Sequence, residues 1–195
     1  MSIAKGQDSE ASILLRSTSE TARVAIPSIC YVEALSTWQK EKEYTLLFQR
    51  ELLKQINESK RDQTSSHAKS LVSYLEQARI SNTKRLNDIL VRLDEAVGQM
   101  LIKAEMITLN VNTLQEILQI SLSQPEALMI KDDLRDNLII KSILSHATLH
   151  PSEIKVFLSG NTRDFGSPVV QQFLREAGIN YFSKTQNFLD WLQSR

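Results

Sequence analysis

The sequence predicts an α/β protein: a parallel sheet flanked by helices, interrupted by a large α-helical insertion. Three observations predict it. Short apolar runs, "RVAIP", "EIKVFLS" and "INYFS", each stop at turn or capping residues and are each followed by a helical pattern. That alternation is how right-handed βαβ units read in sequence. Glycine and proline number only five and four, and three of the glycines fall between Gly160 and Gly178. This gathers α/β punctuation at the C-terminal end and leaves long helices for the middle. From Lys40 to about Gln124 no strand signal interrupts a stretch of interspersed charges. The expected organisation is an α/β domain built from residues 1–39 and 125–195, with residues 40–124 inserted as helix.

Each element has its own signal. "SEASILLRS" reads as a short helix from Ser9 to about Ser17. "RVAIP" is a buried strand ending at Pro27, and Ser28 stands directly after it as the N-cap of the next helix. In the insertion, Leu86, Leu90, Leu93, Val97, Met100, Ala104, Ile107, Val111, Leu114 and Leu118 alternate spacings of four and three. That is a heptad seam. It predicts either a helical hairpin packed on itself or on the domain, or a homodimer or protein partner bound through the seam. β-branched residues and two Asn between Thr108 and Asn112 weaken the helix there, although the apolar spacing continues. "SQPE" reads as a capping box, Ser123 with Glu126, opening a helix.

"DDLRDNLIIKSILSHA" is apolar at Leu134, Leu138, Ile139, Ile143 and Leu144, a helix face with Asp136 near its start. "EIKVFLS" is too short for a helix and fits a buried parallel strand. "SPVVQQFLREAG" is a helix with Ser167 as N-cap, Pro168 at its first position and Gly178 past its end. "INYFS" follows as a strand, and "SKTQNFLDWLQ" closes with a second capping box, Ser183 with Gln186.

Composition narrows the function classes. The formal net charge is zero, so no bulk field draws the protein to nucleic acid or to a membrane, and any such contact is local. No apolar run reaches the roughly 18 residues of a membrane span, and "MSIAKGQDSEA" has no apolar leader core. The single cysteine, Cys30, excludes an internal disulfide and a cysteine-based zinc site, and reads as an inert core thiol. The expected compartment is the cytoplasm.

Open parallel sheets bind ligands at the carboxyl ends of their strands. Three acids fall there. Asp164 follows "EIKVFLS", Glu33 lies in the first turns of the helix after "RVAIP", and Asp136, preceded by Asp132 and Asp133, lies in the first turns of its own helix. Each has apolar neighbours in sequence, such as Val32, Leu138 and Phe165. Two like charges ~4 Å apart repel by about 4 kcal/mol at an effective dielectric of about 20. A convergent trio therefore needs a cation or protons. Oxygen-only ligands favour Mg2+ or Mn2+ over zinc, and such ions chiefly serve phosphoryl chemistry.

"AIPSICYVEAL", "DNLIIKSILSHA" and "VFLSGNTRDF…FLREAGINYFSKTQNFLDWL" resemble the successive blocks of a PIN domain, in order. The resemblance implies a metal-dependent nuclease fold acting on RNA, with Glu33, Asp136 and Asp164 as metal-binding acids and Asn161 as a polar site residue. It also implies a first strand ending in Asp or Glu. The chain starts at what matches the helix after that strand, which predicts either a natural reading frame that begins further upstream or a degenerate PIN fold. The expected function is a Mg2+/Mn2+-dependent ribonuclease. The alternative is a non-catalytic PIN-like protein that binds a partner through its helical insertion. Arg163, Lys131 and Arg135 flank the acids and either hold a phosphate backbone or stand as solvated loop charges. His67 is expected in solvent, and His146 and His150 at a helix end where a partly charged imidazole is favourable. Trp38 and Trp191 are expected in helix packing and not as base-stacking platforms.

Overall fold

The structure is a computed structural model that describes residues 1–17, 22–131 and 133–194. The chain forms two compact units. One comprises Met1–Gln7 and Glu33–Gly98; the other comprises Asp8–Val32 and Gln99–Arg195.

The second unit is α/β. It holds α2 (Ser9–Ser17), β1 (Ala25–Pro27), β2 (Glu105–Ile107), α5 (Val111–Ser123), α6 (Leu134–Thr148), β3 (Lys155–Leu158), α7 (Thr162–Phe165), α8 (Pro168–Glu176), β4 (Ile179–Phe182) and α9 (Thr185–Gln193). β1 pairs with β2 in parallel, Ile26 opposite Met106, and β3 pairs with β4 in parallel, Phe157 opposite Tyr181. Among the described residues these ladders form two separate two-stranded sheets, where one larger parallel sheet was expected. The core lies under α6 and α8, where Ile140, Val170 and Leu174 are fully buried. Cys30 packs half-buried against this core. Ser167 caps α8, its Oγ accepting from the Val170 amide, and Gly178 takes the left-handed φ of 68° that ends the helix and turns the chain into β4. Trp191 packs on Phe182 and Phe188.

The strand β2 corrects the expectation that nothing but helix lies between Lys40 and Gln124. Ala104 and Ile107 keep the 4–3 apolar spacing, so periodicity alone runs through the break. The helix nevertheless ends at Lys103, and the Glu105 amide donates to the Val24 carbonyl at 2.8 Å. Asn110, whose side chain accepts from the Asn112 amide, then caps α5.

The first unit is helical, with α1 (Ser2–Lys5), the body of α3 (Ser28–Ser59) and α4 (Ser66–Lys103) up to Gly98. Cross-helix bonds pair Arg85 with Glu41, Thr83 with Gln49 and Glu76 with Lys60, a descending register that makes α3 and α4 antiparallel. Asp62 closes the connection by accepting from the Thr64 and Ser65 amides. Ala4, Ile89 and Leu93 form the small core, with Trp38, Ala34 and Val97 against it. The expected buried stripe is displaced: Leu93 is buried, but Leu90, Val111 and Leu118 are exposed, and Ile89 and Ala96 take the buried positions on α4. His67 is exposed.

Three capping expectations also shift by a residue or change role. Ser28 is the first helical residue of α3, and its Oγ accepts instead from the Leu109 amide at 3.3 Å. Ser123 ends α5, donating to the Gln119 carbonyl, and Pro125–Ala127 makes a single 3-10 turn in place of a helix. Lys184, not Ser183, precedes α9, and Gln186 donates to Asp190. Among the described residues no helix is long and apolar enough to cross a membrane.

Candidate functional site

The start of α6 is built by two side chains that fold back on the backbone. Asp133 is the N-cap, and its Oδ1 accepts from the Arg135 and Asp136 amides at 3.0 Å each. Such a cap satisfies amides that the helix leaves orphaned. Asn137, with no exposed surface, pins the preceding loop: its Nδ2 donates to the Ile130 carbonyl at 2.5 Å and the Asp133 carbonyl at 2.8 Å, while its Oδ1 accepts from the Ile130 amide at 3.1 Å. Asp136 is thereby held in the first turn of α6, where the helix dipole favours negative charge. It is only 5% exposed.

The carboxyl end of β3 supplies the facing wall. Ser159 continues the ladder, its amide donating to the Phe182 carbonyl, and its own carbonyl accepts from the Tyr181 hydroxyl at 2.9 Å. Burial pushes the Tyr181 phenol up, which keeps that hydroxyl a donor. The chain then turns through Gly160 and Asn161 into α7. Phe165 anchors the turn in the core, edge-on to Phe157, and Gln171 donates to its carbonyl at 2.8 Å. Asn161 is the hinge of the site. Its Oδ1 caps the Asp164 amide at 3.4 Å, and its Nδ2 donates to Asp136 Oδ2 at 2.9 Å.

Of the residues singled out in the sequence, Asp136, Asn161 and the turn carrying Asp164 are therefore joined by one amide side chain. Glu33 is half-buried in α3, in the helical unit; burial lowers the pKa of the Met1 ammonium and the Glu33 charge opposes that shift. Arg163 is 93% exposed and lies 3.9 Å from Asp164 Oδ1, Arg135 lies 4.0 Å from Asp133, and Lys131 is exposed. Asp132 lies outside the described residues. Asn137 went unnoticed in the sequence although its signal was there: a polar amide one position after Asp136, inside an apolar helix face.

The donor set is oxygen throughout: carboxylates and a side-chain amide, without sulfur or imidazole. That chemistry would suit a hard divalent cation, and Asp136 and Asp164 are the carboxylates that could hold it.

Asp164 follows the carboxyl end of β3, and Asp136 lies in the first turn of α6. The sequence pattern of the PIN domain family matches residues 2–165, and the chain belongs to that family. PIN domains are generally nucleases and typically use Mg2+ or Mn2+. No curated protein and no solved structure matches the chain.

Proposed function

We propose that the protein is a Mg2+- or Mn2+-dependent ribonuclease, with Asp136 and Asp164 as metal-binding acids and Asn161 as the residue that aims them. One observation carries this reading: a nearly buried Asp136 carboxylate is oriented by the same amide that caps the turn bearing Asp164. A divalent cation bound there supplies Lewis acidity toward a phosphoryl oxygen and a more acidic bound water. The chain's own residues do the positioning. Asn161 keeps Asp136 Oδ2 on the donor side, Asn137 and Asp133 hold the first turn of α6, and Arg163, Lys131 and Arg135 offer exposed cations to neighbouring phosphates. The family resemblance gives Glu33 the same metal-binding role.

The test is RNA cleavage with Mn2+ by the full chain. Asp136→Asn and Asp164→Asn each lower the rate by at least about 100-fold, and Asn161→Ala by about tenfold, as expected for a residue that orients a metal-binding group. Glu33→Gln is measured separately for its own role. Cleavage that survives both Asp136→Asn and Asp164→Asn overturns the proposal.

A second reading has its own observation. Tyr44, Leu47 and Phe48 lie three and four apart on α3 and are 69%, 57% and 50% exposed. An apolar face of that kind favours association through the helical unit. Sedimentation of the full chain and of Leu47→Glu distinguishes the two: a dimer abolished by the substitution supports it, and a monomer throughout removes it.

A further inference from the structure

At the far end of α6 from Asp136, a second cluster gathers that the nuclease reading does not use. His146 lies in the last turn of α6 and His150 just beyond it. From Asp136 to His146 is ten residues, about 15 Å along the helix at 1.5 Å per residue. Glu105 opens β2, Arg23 precedes β1 and Glu153 precedes β3, so the cluster sits at the amino ends of the strands, opposite the carboxyl edge that carries Asp164.

One ligand atom from each of Glu105, His146 and His150 lies within 4.8 Å of the others. His146 Nε2 is 3.9 Å from Glu105 Oε1, and His150 Nδ1 is 3.2 Å from Glu153 Oε1. The two imidazole rings are 4.8 Å apart. The centre is held by the Arg23 guanidinium. Its Nη1 is 3.4 Å from Glu105 Oε2, its Nη2 donates to Glu153 Oε2 at 3.0 Å, and Nη2 lies 3.0 Å from His150 Nδ1 and 3.3 Å from His150 Nε2.

Arg23 only donates, so it takes a lone pair of the His150 ring: with Nδ1–H donating to Glu153, Nε2, 3.3 Å from Nη2, is free to accept it. The cluster therefore already gathers a cation among two carboxylates and an imidazole lone pair, and a divalent ion takes those same groups together. The C-terminus of α6 adds its partial negative charge at this end.

We propose that Glu105, His146, His150 and Glu153 form a binding site for a late first-row divalent ion of the Zn2+ type, which Arg23 occupies as a stand-in cation. Two imidazoles and two carboxylates suit zinc and not Mg2+. Tetrahedral ligands at zinc distances are about 3.4 Å apart, so side-chain rotation at this half-exposed site closes the remaining gap. Two carboxylates neutralise the ion, and Arg23, 48% exposed, swings into solvent. The bound ion joins β2, the end of α6 and the approach to β3. Its role is structural.

Calorimetric titration of the full chain with Zn2+, and visible absorption with Co2+, test this. One equivalent of Zn2+ binds and raises the melting temperature, Co2+ gives a four-coordinate spectrum, and Mg2+ does neither. The double variant His146→Gln, His150→Gln weakens Zn2+ binding by at least about tenfold, and Arg23→Gln strengthens it, since the competing cation is gone. Asp136→Asn leaves Zn2+ binding unchanged, which separates this site from the proposed nuclease site. Absence of one-to-one binding in the wild type, or binding indifferent to both the His and the Arg23 substitutions, overturns the proposal.

Discussion

Asn137 shows how much of the site depends on a residue that touches no substrate. Three hydrogen bonds tie its amide to Ile130 and Asp133, and Asp133 in turn caps the two amides that begin α6. A buried backbone group that loses its partner costs about 1–3 kcal/mol. Asn137→Ala leaves the Ile130 amide and carbonyl unmatched at a position with no solvent, while the Asp133 carbonyl keeps the backbone amide of residue 137. The expected loss is about 3 kcal/mol of stability, read as a lowered midpoint in urea. Asn137→Leu restores volume without restoring the bonds and is expected to be no better. If it is as stable as the wild type, packing and not bonding explains the geometry of the loop. Gly166 has a comparable role two residues beyond Asp164: a Cβ there would run into the Thr162 carbonyl. Gly166→Ala must therefore displace the turn, and a lower cleavage rate with little change in the urea midpoint is the expected signature.

At the scale of elements, Glu41 fastens α1 and α4 to α3. Its carboxylate binds Lys5 at 2.6 Å and Arg85 at 3.0 Å, and the Lys5 bond, followed by that of Arg85, lowers its pKa against an opposing push from burial. A lowered folded pKa means that the ionised form is favoured by folding. Its stabilisation is therefore full above the ordinary value near 4.5 and is lost as pH falls through the lower folded value. Glu41→Gln is expected to cost about 1 kcal/mol near neutral pH, and the gap from wild type closes on acidification; a gap independent of pH would mean that the charge is irrelevant. The same elements show what the sequence could reveal. The boundaries of α2, α6, β3, α8 and β4 followed from caps, glycines and short apolar runs, because those signals are local. β2 did not, since three residues carried in a continuing 4–3 pattern become a strand only by pairing with β1, eighty residues away in sequence. The buried stripe of α4 shifted for a related reason: α1, which supplies Ala4 to that core, has no heptad signature. In the candidate site, Asp136 and Asp164 were singled out from their place at a helix start and after a strand, and Asn161 from the family resemblance. Asn137 was passed over although its signal was local, and the His146–His150 cluster was not legible, because it is defined by what lies opposite it in space.

Over the whole molecule, 23 basic and 23 acidic residues leave a formal net charge of zero. On the proposed nuclease function, a chain of this charge has no long-range field to concentrate RNA, and its affinity would come from cations beside the acids. Lys131, Arg135 and Arg163 are the exposed cations adjoining Asp136 and Asp164 in sequence, with Arg163 almost wholly in solvent. Each phosphate neutralised on a single strand releases about 0.7 of a counterion. Three such contacts predict that the logarithm of the RNA association constant falls with the logarithm of salt concentration at a slope of about −2. Filter binding with an inactive Asp164→Asn chain, over a tenfold range of KCl, measures it without cleavage. Arg163→Ala should make the slope shallower by about 0.7 and weaken binding similarly on every RNA sequence, since a phosphate contact carries no base information. A slope steeper than about −5 would require more phosphate contacts than these three cations can make, and would place the RNA on another surface. A slope unchanged by Arg163→Ala would remove Arg163 from the path of the strand.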